Sequence, residues 1–273
     1  MSIERFYDDH PISETHVLDA VRRGRGGLDT PVTADDLSAF DQDHYGGLAA
    51  VETLAHRARI RRGARVLDVG AGLGGPARFL AGGRGCHVVA LELHAGRAGA
   101  ARRLSRLCRL DRLVHVVRGD ATRLPFADGG FDACVSQEAF MHIADKAAVL
   151  AGCRRVLVTG GRLAFTDWIA HARLADGERR RLREWMAGTA VETLDGYRTL
   201  LGRAGFTALD VEDITDEWRP VLRTRHGMYR RLRAATIAKV GAARFHAYDA
   251  LYTFLIDLVE DGKLGGGRFS GSR

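Results

Sequence analysis

The run Val66-Leu67-Asp68-Val69-Gly70-Ala71-Gly72-Leu73-Gly74-Gly75 constrains the fold of this chain more than any other stretch. An apolar segment runs into an acid, and a glycine loop follows at once. That order describes a buried parallel strand ending in a turn that opens a helix, the unit from which open α/β sheets are built. Glycines at such a turn let the backbone approach a ligand and leave helix N–H groups aimed at it. Gly70, Gly72 and Gly75 satisfy G-x-G-x-x-G, a spacing that alone also fits a dinucleotide site. Asp68 stands two residues before the first glycine. A carboxylate there gains nothing beside a phosphate. It suits a cationic ligand that carries an ammonium and a sulfonium.

Two further acids extend the pattern. Glu92 ends the apolar run from His87, where a ribose-binding acid belongs, and a dinucleotide would need it equally. Asp120 follows a third strand-like run, Leu113 to Val117, and its carboxylate could accept an adenine amino group. Asp68, the glycine loop, Glu92 and Asp120 at the ends of consecutive strands resemble the class I S-adenosylmethionine (SAM)-dependent methyltransferases, over residues 63 to 170. The resemblance implies SAM as cofactor, bound by Asp68, Gly70, Gly72, Gly74, Glu92, Leu93, Asp120, Ala121, Gln137 and Tyr45.

The alternation after residue 63 predicts an α/β fold, a Rossmann-like, mostly parallel seven-stranded sheet with helices on both faces. Strands are expected at 65–69, 87–92, 113–118, 131–136, 161–168 and 207–213, with a short last strand around Gly265 to Phe269. Helices are expected at 75–82, 95–108, 145–157 and 193–204. Gly160-Gly161 marks a turn before the fifth strand. In the family the last two strands form an antiparallel pair at a sheet edge. Here the link between them, 223 to 261, carries helical apolar spacing and reads as a cap over the substrate. Residues 1–60 form an N-terminal helical segment, with Pro11 opening one helix and Thr33 capping another. The expected division is therefore 1–60, a SAM-binding core at 61–222, and cap plus final strand at 223–273.

Bulk properties exclude several classes. The net charge of +7 is almost entirely arginine, scattered over helix faces without interleaved aromatics. The cluster Arg179-Arg180-Arg181-Leu182-Arg183 reads as a solvated helix face, so nucleic acid is not the expected partner. No apolar run approaches the roughly 20 residues of a membrane span. Met1 to Asp9 is polar and acidic, without a signal-peptide core, so the expected compartment is the cytoplasm. Cys86, Cys108, Cys134 and Cys153 lack metal spacing and read as reduced thiols, and no metal is expected. His10, His44 and His226 carry no metal spacing either.

Residues at the carboxyl ends of strands four and five face the crevice of such a sheet. Ser136-Gln137-Glu138-Ala139-Phe140-Met141-His142-Ile143-Ala144-Asp145-Lys146 is similar to the corresponding stretch of phosphoethanolamine N-methyltransferases. That likeness implies Glu138 and His142 beside the substrate amine. Phe165-Thr166-Asp167-Trp168 is similar to the same family, with tryptophan where tyrosine is usual, and implies Asp167 and Trp168 as substrate contacts. Phe40 to Gly47 and Gly262 to Phe269 resemble the sarcosine/dimethylglycine N-methyltransferases instead. Read without the families, His142 is a general-base candidate or a packing residue, and Glu138 balances an ammonium, binds cofactor or makes a surface ion pair. Trp168, Tyr7 and Tyr45 could line an aromatic cage, or Trp168 could be core, while Trp185 and Trp218 read as packing.

The expected reaction is methyl transfer from SAM to a small-molecule acceptor, foremost an amine nitrogen. A hydroxyl or carbon of a secondary metabolite is the alternative. Nicotinamide-dependent oxidation and non-catalytic SAM binding are the more distant ones.

Overall fold

The computed structural model describes residues 3–8, 10–27, 30–188 and 190–273. Met1, Ser2 and Asp9 of the polar N-terminal stretch lie outside the described residues, as does the side chain of Lys239. The core is a sheet of β1 (Arg65–Val69), β2 (His87–Glu92), β3 (Val114–Arg118), β4 (Phe131–Gln137), β5 (Leu157–Ala170), β6 (Thr207–Asp213) and β7 (Leu264–Ser272). Its strand order is β3-β2-β1-β4-β5-β7-β6. Strands β1 to β5 pair in parallel, and β7 runs antiparallel between β5 and β6. The order reverses between β1 and β4, which opens a crevice at their carboxyl ends.

Period-two alternation along the strands feeds two cores. Leu67 and Val69 of β1, Cys134 of β4 and Phe165 of β5 pack with α7 (Lys146–Val156) and α9 (Leu194–Arg203) on one face. Val66, Ala133, Val135 and Ala164 pack with α4 (Gly47–Arg57) and α5 (Gly75–Arg84) on the other. The remaining N-terminal helices, α1 (Ile3–Asp8), α2 (Glu14–Arg25) and α3 (Ala34–Ser38), come before these. Val17 and Val21 of α2 pack against Ala100 and Leu104 of α6 (Ala95–Leu107). After β5 stands α8 (Asp176–Met186), whose Arg180, Arg181 and Arg183 are solvated while Leu182 and Met186 are buried. The cap consists of α10 (Thr215–Arg231), α11 (Arg233–Val240) and α12 (Ala242–Glu260).

Several expectations need correction. The cap begins at Thr215, so a boundary at 222/223 cuts through α10, where Pro220 sits inside the helix. The final strand is also longer than expected and belongs to the sheet interior rather than to the cap. Gly160-Gly161 is not a turn ahead of the fifth strand but an irregularity within it, between the pairs Phe131–Leu157 and Ala133–Arg162. Gly160 takes a φ of 78° there. A Cβ on Gly161 would stand 2.9 Å from the Val158 carbonyl and 3.0 Å from that of Asp132. Helix α2 starts at Glu14 behind Ser13, whose hydroxyl accepts from His16 N–H, and Pro11 precedes it. Thr33 caps α3 as expected, through a reciprocal bond with Asp36. All four cysteines are free, and only Cys108 is not fully buried. No helix among the described residues is long and apolar enough to cross a membrane.

Candidate active site

The glycine loop is held open from behind. Gly70 and Ala71 N–H groups donate to the Leu91 carbonyl at 2.9 and 3.0 Å, fixing the loop to the end of β2. Gly70 and Gly72 take positive φ of 75° and 57°, which glycine adopts without strain. Both line one cavity at the switch point, together with Asp68. Asp68 is 3% exposed, and its Oδ2 has no hydrogen-bond partner. Burial first, and then the neighbouring Glu92, push its carboxyl up to about 7. An uncompensated buried carboxyl oxygen fits a ligand bearing a positive charge.

Glu92 accepts from Gly72 N–H through one oxygen and from His94 N–H through the other, each at 2.8 Å. It lines the same cavity, followed by the exposed Leu93. Asp120 and Ala121 also line it. One oxygen of Asp120 caps the turn Ala121–Arg123 by accepting from the Thr122 N–H and hydroxyl, and these bonds hold its carboxyl below the usual range. Gln137 reaches the His44 ring at 2.8 Å from the end of β4. The expected cofactor residues thus converge on one crevice, Gly74 excepted. Gly74 precedes α5, and a Cβ on it would meet Arg78 and Ala101 between the helices.

A second group of side chains meets at the other end of the cavity. Tyr7 Oη lies 3.1 Å from His142 Nε2, and His142 Nδ1 lies 3.3 Å from the Ala187 carbonyl. The carbonyl can only accept, so Nδ1 carries the proton and Nε2 accepts from the Tyr7 hydroxyl. Burial holds the His142 ring down to about 4, and it is neutral at physiological pH. Glu138 takes a φ of 47°, unusual for a residue with a Cβ, and its carboxylate ties two elements together. It accepts from Thr166 Oγ1 at 2.6 Å and from Tyr45 N–H at 2.8 Å, while burial pushes its pKa up to about 7. The ring of Tyr45 lies edge-on to Trp168 at 5.6 Å and against Trp218 at 4.8 Å. Trp168, 1% exposed, is at once core and cavity wall.

Asp167 is placed differently from the expectation. It is fully buried behind the Phe140–His142 turn, accepting from Met141 N–H at 3.1 Å and from the Tyr197 hydroxyl. One oxygen holds that turn and the other is taken by Tyr197 of α9, so Asp167 supports His142 from behind instead of contacting a substrate. Among the described residues, no group of three His, Cys, Asp or Glu side chains is placed to hold a metal ion.

A family model described as a methyltransferase domain matches residues 67–165. Methyltransferase GfsG of Streptomyces halstedii is 31% identical over 188 residues, which span 68% of this chain and 68% of that protein. This chain belongs to the SAM-dependent methyltransferase family. The glycine/sarcosine/dimethylglycine N-methyltransferase of Actinopolyspora halophila is 33% identical over 63% of this methyltransferase, which spans only 30% of that protein's length. Phosphoethanolamine N-methyltransferase 2 of Haemonchus contortus, solved with phosphomonomethylethanolamine and S-adenosylhomocysteine, superposes with a TM-score of 0.82. At 19% identity, covering 100% of this chain and 60% of that one, this likeness shows the fold alone.

The methyltransferase also places in the cavity residues that the sequence reading did not assign to the site. Arg97 of α6 binds Asp43 at 2.7 Å and lies 4.5 Å over the Tyr7 ring, with Nε and Nη1 buried and unpartnered. Arg225 of α10 donates to the carbonyls of Gln42, Asp43 and His44 and covers the Tyr45 ring at 4.8 Å. Tyr248, Leu251, Tyr252 and Leu255 line the cavity from α12. Their i, i+3, i+4, i+7 spacing was the available signal. Which target that stripe faces is a tertiary fact.

Proposed function

We propose that this methyltransferase transfers the methyl group of SAM to a nucleophilic oxygen or nitrogen of a small molecule. The observation that carries this reading is the Tyr7–His142 pair, set in the same cavity as the glycine loop and Asp68. When bound, SAM supplies an electrophilic methyl on a sulfonium that leaves as a neutral thioether. The orphan Oδ2 of Asp68 suits the cofactor's ammonium, and the two oxygens of Glu92 suit the ribose hydroxyls. An in-line displacement requires the nucleophile about 3 Å from the methyl carbon, opposite the sulfur.

The chain's own residues account for the proton. A Tyr7 hydroxyl that donates to His142 keeps its oxygen lone pairs free toward the cavity. As the acceptor gives its proton to Tyr7 Oη, Tyr7 passes its own to His142 Nε2, and the Ala187 carbonyl holds the ring for that transfer. An ammonium, the form in which the amine expected from sequence arrives, gives up one proton by the same route and is nucleophilic once neutral. A hydroxyl depends on the pair more, since its oxygen must lose its proton as the new bond forms.

The test is methyl transfer from labelled SAM by wild type and His142→Ala. Loss of a positioned base should lower turnover by about 10²–10⁴ with little change in cofactor affinity. Full turnover in the variant would refute the role given to His142. In wild type the acidic limb of the rate profile should fall near the histidine's lowered value of about 4 rather than its ordinary one.

A further inference from the structure

On that reading, we infer that the acceptor is an uncharged, largely apolar molecule that presents a hydroxyl to the Tyr7–His142 pair, and not a phosphate- or carboxylate-bearing amine. The inference rests on how the charges around this end of the cavity are already spent. Arg225 donates from Nη1 and Nη2 to three backbone carbonyls and lies on the Tyr45 ring. Glu138 divides its two oxygens between Thr166 and Tyr45. Arg97 does retain free N–H groups. Asp43 holds it toward the glycine loop, where its Nη2 stands 2.8 Å from the position of a Gly72 Cβ. The guanidinium also lies 4.5 Å over the Tyr7 ring, its charge matched by Asp43.

The acceptor's end is walled by Leu251 and Leu255 of α12, by Met141 and Met186, and by the Phe6 ring, which lies 5.9 Å from His142. Methionine and aromatic walls conform to irregular apolar shapes. A phosphate or carboxylate set among them would lose its water and would have to compete with Asp43 for the Arg97 guanidinium. An apolar body with one hydroxyl loses little, because the hydroxyl meets the Tyr7 oxygen. The cavity thus favours a different acceptor from those in the names of the N-methyltransferases to which this chain is similar.

The test is calorimetric titration of the full chain, saturated with S-adenosylhomocysteine, near neutral pH. Geraniol and 2-naphthol serve as uncharged probes, and sarcosine, dimethylglycine and phosphoethanolamine as charged ones. Both alcohols should bind at least about ten-fold more tightly than any charged amine. Leu251→Glu sets an unpaired carboxylate into the apolar wall and should weaken alcohol binding by about the same factor. Its affinity for S-adenosylhomocysteine should stay near wild type, which shows that the variant is folded. Tighter binding of any charged amine overturns the inference and leaves the methyltransferase reading standing. So does failure of both alcohols to bind a protein that still takes S-adenosylhomocysteine. A wild-type chain that does not bind S-adenosylhomocysteine would bring down the underlying reading as well.

Discussion

Asp68 is the single residue in which sequence, burial and chemistry meet most closely. Its place before the glycines marked it as a partner for a cation, and the fold buries it with one oxygen unanswered. A carboxyl raised to about 7 by burial is roughly half protonated at neutral pH. An ammonium beside it favours the charged form and lowers that value again. Binding of S-adenosylhomocysteine near pH 7 should therefore release on the order of half a proton from this site. Calorimetry in two buffers of different ionisation enthalpy would show it, and Asp68→Asn should reduce that dependence sharply. Equal binding enthalpies in both buffers for wild type would contradict the placement of the ammonium. Glu92 and Asp120 were legible for the same reason as Asp68, since each closes an apolar run. Arg97 and Arg225 were not, because a chain this rich in arginine gives no local sign of which cations turn inward. Asp167 misled because a carboxylate at a strand end reads alike whether it faces the crevice or, as here, the Tyr197 hydroxyl behind it.

Among the elements, the loop after α3 decides whether the site is complete. Asp41 forms an ion pair with Arg78 at 2.7 Å, each side chain 1% exposed. Asp43 holds Arg97, Tyr45 N–H holds Glu138, and Arg225 gathers the loop carbonyls. The loop thus links α5, α6, the end of β4 and the cap helix α10. Removing one member of a buried pair leaves a bare charge, so Asp41→Ala should destabilise the fold by about 3–5 kcal/mol. Chemical denaturation would measure this, and a loss below about 1 kcal/mol, the range of exposed pairs, would contradict it. Apolar runs revealed the strands, and helical periodicity and capping signals revealed most helices. The start of α10 was hidden by Pro220, and the extent of β5 by two glycines that a register shift accommodates inside the strand. Both depend on what the neighbouring strands and helices supply, which periodicity cannot register.

Taken whole, the molecule is a switch-point crevice roofed by two separate parts of the chain. The N-terminal segment and the cap meet above it, with the His10 and Tyr248 rings 6.0 Å apart. The sheet and its crevice could be foreseen from strand-end acids and glycines, whereas this closure could not, because it joins residues far apart in sequence. A site roofed in this way exchanges product by moving its roof. Hydrogen exchange in α1 and in α10 to α12 should slow when S-adenosylhomocysteine binds, while β1 and β4 stay protected throughout. Unchanged exchange in all of these helices would point to a rigid, preformed roof. The crevice at the switch point is built for SAM. The most direct test of this is titration calorimetry of S-adenosylhomocysteine against wild type and Glu92→Ala, with NAD as competitor. Binding should be micromolar and unaffected by NAD, and weaker in the variant by roughly 1.5–3 kcal/mol for each charge-assisted bond lost. Binding of NAD in place of S-adenosylhomocysteine, or unchanged affinity in Glu92→Ala, would contradict a crevice built for SAM.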